Sequence, residues 1–169
     1  LNGPSLRKLP TGPTYLKDSK FLEFFFKRLK DNKTGLFSKD FPFVSPCGPE
    51  LNFVHVADKP IVFQELVFEG KGEPHLTYAT ARMNQTDFLS LEFDPNRLFA
   101  GKETGRLYFK PKEKIVGNYG LIRSQLCVEL GESVEFKEDG SADLVFCNKL
   151  YKIPNENPWK DEEDGSADL

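Results

Sequence analysis

The sequence predicts an α+β fold, in which a mostly antiparallel β-sheet or partly open barrel carries one N-terminal amphipathic helix. One segment near the N-terminus has helical periodicity, whereas the rest of the chain consists of short apolar runs separated by turn residues. Few connections between these runs are long enough for the crossover that joins parallel strands. Sixteen Phe against one Trp and one Met indicate an aromatic, sheet-based core.

The helix is predicted to begin at Asp18 or Ser19 and to end near Lys30. A carboxylate or hydroxyl at the first position caps free backbone N–H groups, and basic residues in the last turn suit the helix dipole. The apolar residues that would face the core have the spacing of one helical stripe and are Leu22, Phe25, Phe26 and Leu29.

From Leu36 onward, the pattern indicates strands and turns. The predicted strands are Phe41–Val44, Asn52–Val56, Ile61–Phe68, Leu76–Thr80, Phe88–Phe93, Leu107–Phe109, Val134–Phe136, Leu144–Phe146 and Leu150–Ile153. Between residues 122 and 130, apolar and polar side chains alternate, which favours a long half-buried strand. A helix is the alternative there, because Ile122, Leu126 and Leu130 are also spaced four apart.

The chain is expected to form one domain over residues 18–153. An extended arm rich in Pro and Gly precedes it over residues 1–17, and an acidic, mobile tail follows over residues 154–169. The heptapeptide EDGSADL occurs twice, at residues 138–144 and 163–169. It is too short to be a structural repeat, and its origin stays open.

Composition narrows the class of function. A net charge of −3 provides no general attraction for nucleic acid or anionic lipid, and no apolar run approaches the ~20 residues of a membrane span. The cysteines Cys47, Cys127 and Cys147 are odd in number and widely spaced, which favours a reducing compartment over a disulfide framework. No cofactor motif or metal-binding pattern is present, and His75 has no nearby Cys or His partner.

The candidate site is the block from Phe41 to Phe63, where polar side chains gather at the ends of predicted strands. Cys47, in a Pro-Cys-Gly-Pro corner, could act as a nucleophile with His55 as its base. Asp58 could supply a reactive carboxylate instead. The simpler interpretations are that Cys47 packs in the turn and that Asp58 opens the turn before Pro60.

Two further sets of residues suggest binding. Glu50, Asn52 and Asp58 could form a set with metal-binding or acid–base capacity, although their spacing matches no metal loop. The favoured interpretation is that Asn52 and Asp58 bond to the backbone at the two turns. Arg123 interrupts an apolar segment and could bind a small anion, although solvent exposure on the polar strand face is the simplest interpretation.

The segment Arg106–Lys112 alternates basic and aromatic residues, as do proteins that stack single-stranded RNA bases. It lacks the spacing of an RNA-binding motif, and the acidic balance of the chain opposes nucleic-acid binding. A solvated strand face is therefore the favoured prediction.

Five ordered pieces carry a resemblance to a known family: KDSKFLEFFFKRLKDNKTG, FPFVSPCGPELNF, DKPIVF, GRLYFKP and GLIRSQLCVEL. They resemble an uncharacterised family of small eukaryotic proteins, represented in human by the product of an open reading frame on chromosome 8. The resemblance implies a mitochondrial location and no assigned activity. The succession of turn, Asp-x-Pro and Arg-bearing strand is also similar to a bacterial family of unknown function with repeated β motifs; where that family tends to have Arg, this chain has His55.

The favoured function is a non-catalytic interaction or ligand-binding domain, an accessory component of a mitochondrial protein assembly, because no catalytic constellation is visible. Phe99 and Phe109 are its expected exposed anchors. One alternative is an enzyme for a small anionic substrate, in which Cys47, Asp58 and Arg123 converge in one pocket. An RNA-associated mitochondrial protein is the second alternative.

Overall fold

The computed structural model describes residues 18–70, 72–79, 89–130 and 133–164, and the predicted arm over residues 1–17 lies outside them. In this part of the chain the helices are α1 (Ser19–Lys27), α2 (Ser124–Leu130) and α3 (Lys160–Asp164), with a 3-10 turn at Pro95–Arg97. The strands are β1 (Lys30–Asp31), β2 (Phe43–Cys47), β3 (Glu50–Val54), β4 (Val62–Glu69), β5 (Glu73–Tyr78), β6 (Leu89–Glu92), β7 (Leu98–Ala100), β8 (Leu107–Phe109), β9 (Gly120–Ile122), β10 (Val134–Phe136), β11 (Ala142–Phe146) and β12 (Lys149–Ile153).

The strands form three open sheets, so the predicted α+β class is confirmed and the barrel form of it is not observed. The six-stranded sheet has the order β6-β5-β4-β9-β8-β7, and the two three-stranded sheets are β1-β2-β3 and β10-β11-β12. Every strand pair in these sheets is antiparallel except β4–β9, which is parallel. The prediction of a largely antiparallel arrangement is therefore confirmed.

Strands β7, β8 and β9 are buried along their whole length, because both faces of the large sheet are covered. Their side chains alternate between two apolar clusters, as a period of two requires. The larger cluster includes Phe63, Leu98, Ala100, Leu107, Phe109 and Ile122. The smaller one, on the opposite face, contains Phe99, Tyr108 and Leu121, with Val62, Tyr119 and Trp159 packed against it.

Helix α2 and the sheet β10-β11-β12 contribute to the larger cluster through Leu126, Leu130, Ala142, Leu144 and Ile153. The C-terminal segment contributes to the smaller cluster. The Trp159 ring lies 6.3 Å from that of Phe99, and the Arg97 guanidinium lies 4.8 Å from the Trp159 ring centroid. The predicted tail therefore begins with a segment that contacts the large sheet, while residues 165–169 lie outside the described residues.

Helix α1 packs on β2 and on the large sheet, as predicted. The Asp18 side chain caps it by accepting a hydrogen bond from the Phe21 N–H at 2.8 Å. The Phe26 ring packs edge-on against Tyr78 at 6.4 Å between centroids. The predicted apolar stripe thus joins the helix to the core, although the helix ends at Lys27 rather than near Lys30.

The predicted strand over residues 122–130 is wrong. Strand β9 ends at Ile122 and helix α2 follows from Ser124, so the competing helical interpretation is the observed one. The four-residue spacing of Leu126 and Leu130 places both in the core, while Val128 is 67% exposed. In the sequence, the spacing of these apolar residues fits a strand and a helix equally well. Packing against the rest of the protein decides between the two structures.

The predicted exposed anchors are also wrong, since Phe99 and Phe109 are 3% and 0% exposed. Strand β8 lies inside the large sheet between β7 and β9, so the aromatic part of the Arg106–Lys112 segment is buried rather than solvated. A buried strand cannot offer its rings to RNA bases.

None of the helices in the described residues has the length and hydrophobicity that crossing a bilayer requires.

Candidate functional site

The predicted site block contains the β2–β3 hairpin, in which the tight turn is confined to Gly48 and Pro49. Gly48 has φ of +60°, a conformation that suits Gly because it has no Cβ. Cys47 ends β2 opposite Glu50, and its Sγ lies 3.6 Å from the Ser45 Oγ. That buried hydroxyl donates to the Phe25 carbonyl at 2.7 Å, which ties the hairpin to α1. Cys47 therefore lies in a packed corner.

Asn52 builds the hairpin, since its Nδ2 donates to the Ser45 carbonyl at 3.1 Å on the neighbouring strand. Exposed Glu50 lies opposite Cys47 at the turn. His55 follows the other end of β3, exposed, with its Nδ1 2.9 Å from the Asp40 carbonyl oxygen. His55 lies five positions after Glu50, about 16 Å along an extended chain at ~3.3 Å per residue. The structure therefore does not bring Cys47 and His55 together.

Asp58 instead contacts Tyr108 of strand β8 and Arg106, which directly precedes that strand. The Tyr108 hydroxyl donates to Asp58 Oδ2 at 2.8 Å, and the Thr104 hydroxyl lies 3.0 Å from the Tyr108 oxygen. The Arg106 Nη1 is 3.6 Å from the same carboxylate oxygen. Burial, supported by the hydrogen bond to Asp58, raises the pKa of Tyr108, while the Thr104 bond acts in the opposite direction. Asp58 thus holds the ring and the guanidinium in place.

The Tyr108 ring requires glycine at position 101. A Cβ on Gly101 would lie 2.7 Å from the Tyr108 Cε2 and would also collide with the Thr104 hydroxyl. Real Cβ atoms do not approach that closely, so a side chain there would displace the ring or the loop. The hydrogen-bonded set Asp58, Thr104, Arg106 and Tyr108 therefore depends on a position that carries no functional group.

Arg123 is exposed at the junction of β9 and α2, and its Nη1 donates to Gln64 Oε1 at 3.1 Å. Cys47, Asp58 and Arg123 thus contact different residues: Cys47 contacts Ser45, Asp58 contacts Arg106 and Tyr108, and Arg123 contacts Gln64. A small anion at Arg123 stays a prediction. Among the described residues, no group of three or more His, Cys, Asp or Glu could hold a metal ion.

The same region bears an apolar surface that the sequence analysis missed. Leu36, Phe37 and Leu51 are 42%, 42% and 40% exposed, and the Phe37 ring packs edge-on against Phe53 at 5.4 Å. Leu51 and Phe53 share one face of β3, because side chains two apart in a strand point the same way. We call Leu36, Phe37, Leu51 and Phe53 the hairpin patch.

The loop that carries half of the hairpin patch is held by one amide side chain. The Asn32 Nδ2 donates to the carbonyls of Leu36 and Phe41, both at 2.8 Å. Its Oδ1 accepts from the Thr34 N–H at 3.1 Å and hydroxyl at 2.6 Å. These bonds fix the conformation of the loop. The apolar pair Leu36-Phe37 within a turn-rich segment is the sequence signal that could have indicated the patch.

Strand β3 is also an open sheet edge, paired only with β2 in the described sheets. After Glu50, its residues Leu51–Val54 are uncharged. The β12 edge carries Lys149 and Lys152, and at the β7 edge the Ala100 N–H donates to the Pro154 carbonyl at 2.8 Å. Natural proteins protect edges with Lys, Pro or covering segments. Residues Leu51–Val54 of β3 contain neither Lys nor Pro, and the same is true of the β6 edge.

These features define an α+β domain of open sheets, in which an edge strand that is uncharged after Glu50 lies beside an apolar patch. The chain belongs to the family described as Domain of unknown function (DUF4505), whose model matches residues 10–157. The resemblance to a family without assigned activity is confirmed to this extent. Among solved structures, the chain is similar to a DUF1285 family protein from Silicibacter pomeroyi DSS-3, with 17% identity over 88% of this chain and 74% of that chain and a TM-score of 0.45.

Proposed function

We propose that this chain is a non-catalytic interaction domain that binds an extended segment of a partner protein along β3, as an accessory component of a mitochondrial protein assembly. The observation that supports the proposal is the coincidence of an unprotected edge strand with the hairpin patch. Either feature alone is common, whereas the two together supply both halves of peptide recognition by strand addition.

Each half has a separate physical role. The main-chain N–H and C=O groups on the open side of β3 hydrogen-bond an added strand whatever its sequence. Leu51 and the aromatic rings of Phe37 and Phe53 select apolar side chains at alternate positions of that strand. The partner segment is therefore extended and carries apolar residues two apart.

The fixed loop favours binding thermodynamically. Ordering a flexible loop on binding costs about 0.5–1.5 kcal/mol for each immobilised side chain. Because Asn32 already satisfies the carbonyls of Leu36 and Phe41, much of this cost is absent when a partner binds. The mitochondrial setting rests on the resemblance of the five sequence pieces and is proposed on that ground alone.

The test is affinity purification of the tagged chain from intact mitochondria, followed by mass spectrometry. We expect one recurrent protein partner with the native sequence and at least about tenfold less of it with Leu51→Ser combined with Phe37→Asn. Asn tolerates the φ of +53° at position 37, so this pair removes apolar contacts without adding backbone strain.

Val128→Ser is the matched control, because Val128 is 67% exposed on α2, outside the hairpin patch. It should recover the partner at the native level. A partner that is retained by the double variant, a set of proteins that changes between repeats, or RNA in place of protein would each contradict the proposal. Fractionation of cells that express the native gene tests the location separately, and recovery of the protein outside mitochondria would contradict the mitochondrial setting.

A further inference from the structure

We propose that the outer side of α1 binds the headgroup region of a bilayer that contains anionic phospholipids, so that the domain attaches to a membrane surface without crossing it. This inference is independent of the interaction at β3. It rests on the exposed side chains of α1 and of its C-cap residue, which are Lys20, Phe21, Phe24, Lys27 and Arg28. We call these five residues the α1 surface.

The α1 surface lies on the side of the helix that faces away from the core. Its members fall at i, i+1, i+4, i+7 and i+8, which is a single stripe along a helix. The opposite side packs inward, since Leu29 is buried and the Phe26 ring contacts Tyr78. Aromatic residues therefore occur on both sides of α1, whereas packing on the core requires them on one side only.

Phe21 and Phe24 form the apolar part of the α1 surface. Each is 37% exposed, and their ring centroids lie 6.5 Å apart. A helix that packs on a protein core by one side typically has polar residues at its outward positions. Two neighbouring Phe side chains at such positions suit the membrane interface, where apolar side chains enter the boundary between headgroups and acyl chains.

The rest of the α1 surface is basic. The Arg28 guanidinium lies 3.9 Å from the Phe24 ring centroid, so a charge and a ring occupy the same site. Glu23 pairs with Lys27 and offsets one charge. The helix dipole favours cations in the last turn but disfavours Lys20, which lies in a first turn that contains no acidic residue. Helix stability therefore does not explain Lys20, whereas an anionic partner would.

The charge of the whole chain is distributed in the same sense. Of its 23 basic and 26 acidic residues, seven basic and two acidic ones fall within residues 1–30. This stretch therefore has a net charge of +5 and the remainder a net charge of −8, which the total of −3 conceals. Charges in solution are screened beyond about 8 Å at physiological ionic strength, so distant acidic residues do not cancel a basic surface that touches a membrane.

A membrane fits the α1 surface better than the other common polyanion, a nucleic acid. Proteins bind single strands by stacking bases on the open faces of aromatic rings. At Phe24, the Arg28 guanidinium already covers one face of the ring. Insertion into the interfacial region of a bilayer requires exposed apolar area rather than a free ring face, so it is compatible with this arrangement.

The test is flotation of the 169-residue chain with vesicles of phosphatidylcholine alone or of phosphatidylcholine with about 30% phosphatidylglycerol. We expect binding to the anionic vesicles to be at least about tenfold tighter than binding to the neutral ones, because several basic residues meet a negative surface. Binding to the anionic vesicles should fall as the salt concentration rises, since salt screens this attraction.

The double variant Lys20→Gln, Arg28→Gln should weaken binding to the anionic vesicles about 25-fold, because each basic residue near such a surface contributes roughly a factor of five. The double variant Lys112→Gln, Lys149→Gln is the matched control. It removes the same total charge at two exposed positions outside the α1 surface and should bind like the native chain.

Phe21→Ser tests the apolar part and should weaken binding severalfold, because less apolar area enters the interface. Val128→Ser, at an exposed position of α2, is its control and should bind like the native chain. Urea denaturation establishes that each variant is folded. The charge variants keep the proposal testable if Phe21→Ser is too unstable to use.

Three outcomes would overturn the proposal. Equal binding to neutral and anionic vesicles, or binding to neither, would remove the role of the basic residues. Equal weakening by the two charge variants would show that only the net charge of the chain matters. Tighter binding to a single-stranded RNA oligonucleotide than to the anionic vesicles would assign the α1 surface to nucleic acid instead.

Discussion

Strands β7, β8 and β9 and the β2–β3 hairpin share apolar residue types such as Leu and Phe, yet these residues lie in different environments. The triplets Leu98–Ala100, Leu107–Phe109 and Gly120–Ile122 are buried on both faces. In the hairpin, β3 is exposed or half-buried along its whole length and forms an open edge. Composition alone does not separate a structural strand from a surface available for binding; the position in the sheet does.

The difference lies in where polar groups are satisfied. In β8, the hydroxyl of Tyr108 reaches Asp58 and Thr104 within the protein. Beside the hairpin, the Asn32 side chain donates hydrogen bonds to the carbonyl groups of Leu36 and Phe41. The backbone groups on the open side of β3 are left for solvent or a partner. Substitutions in β7–β9 should therefore lower the free energy of unfolding, whereas substitutions in the hairpin patch should affect binding and leave stability nearly unchanged.

The largest effect is expected for Phe109→Ala. Its ring is fully buried and packs against Phe63 and Phe93, with centroids 5.5 Å apart in each case. Deleting a buried Phe side chain costs about 3–5 kcal/mol of unfolding free energy, because the cavity collapses only partly. Urea denaturation followed by circular dichroism measures this loss. A change below that of a surface substitution would mean that β8 does not lie at the centre of the core.

A smaller loss is expected for Gly101→Ala, which adds one methyl group where the Tyr108 ring and Thr104 leave no space. Overpacking of this kind costs about 1–3 kcal/mol. The same urea experiment measures it, and the double variant Gly101→Ala, Thr104→Gly should recover part of the loss because one of the two collisions is removed. An unchanged midpoint for Gly101→Ala would show that the loop yields freely.

Tyr108→Phe should cost about 1 kcal/mol, since it removes one hydroxyl that bonds Asp58 and Thr104. It also tests the pH dependence. Burial raises the pKa of Tyr108 and of Tyr78 above the ordinary value of 10.0. The folded state therefore retains these protons longer than the unfolded state, so stability is complete below pH 10 and falls as the pH rises through the folded pKa values.

Unfolding by urea between pH 9 and pH 11 tests this dependence, with tyrosinate absorbance as an independent measure of ionisation. The native chain should lose stability more steeply than Tyr108→Phe over this interval. Equal slopes would mean that Tyr108 ionises normally in the folded state.

The smallest effect on stability is expected for Leu51→Ser, at the exposed centre of the hairpin patch. Surface substitutions usually change the free energy of unfolding by no more than about 0.5 kcal/mol. The same variant should reduce partner binding, so the ratio of the two effects distinguishes a binding surface from a structural one. If Leu51→Ser lowered the free energy of unfolding as much as Phe109→Ala does, Leu51 would belong to the core. The distinction between the buried strands and the hairpin would then be wrong.

Local features of the fold could be predicted from the sequence. The stripe and cap of α1 and strand β8 follow from periodicity and capping chemistry within a few residues. Helix α2 could not be distinguished from a strand, because Ile122, Leu126 and Leu130 satisfy both spacings. Whether this segment forms a helix or a strand depends on its packing against the rest of the protein.

The block from Phe41 to Phe63 includes half of the hairpin patch, but the contacts of its polar side chains could not be predicted from the sequence. The hairpin block does contain an exposed surface, yet Cys47, His55 and Asp58 do not form a constellation. Asp58 bonds Tyr108, 50 positions away, and no local pattern encodes such a contact. The exposure of Leu36, Phe37 and Leu51 is likewise a property of the folded surface, since apolar residues in a sequence are expected inside.

A single parallel pairing, Val62–Phe63 against Leu121–Ile122, unites the two halves of the large sheet. Strands β4–β6 and β7–β9 are each made of neighbours in the sequence, which can associate early. The pairing between the halves must close the whole intervening loop, which is entropically the most demanding step. We therefore expect the slowest event of folding to be the closure of this seam in the middle of the molecule, after its outer strands have already formed.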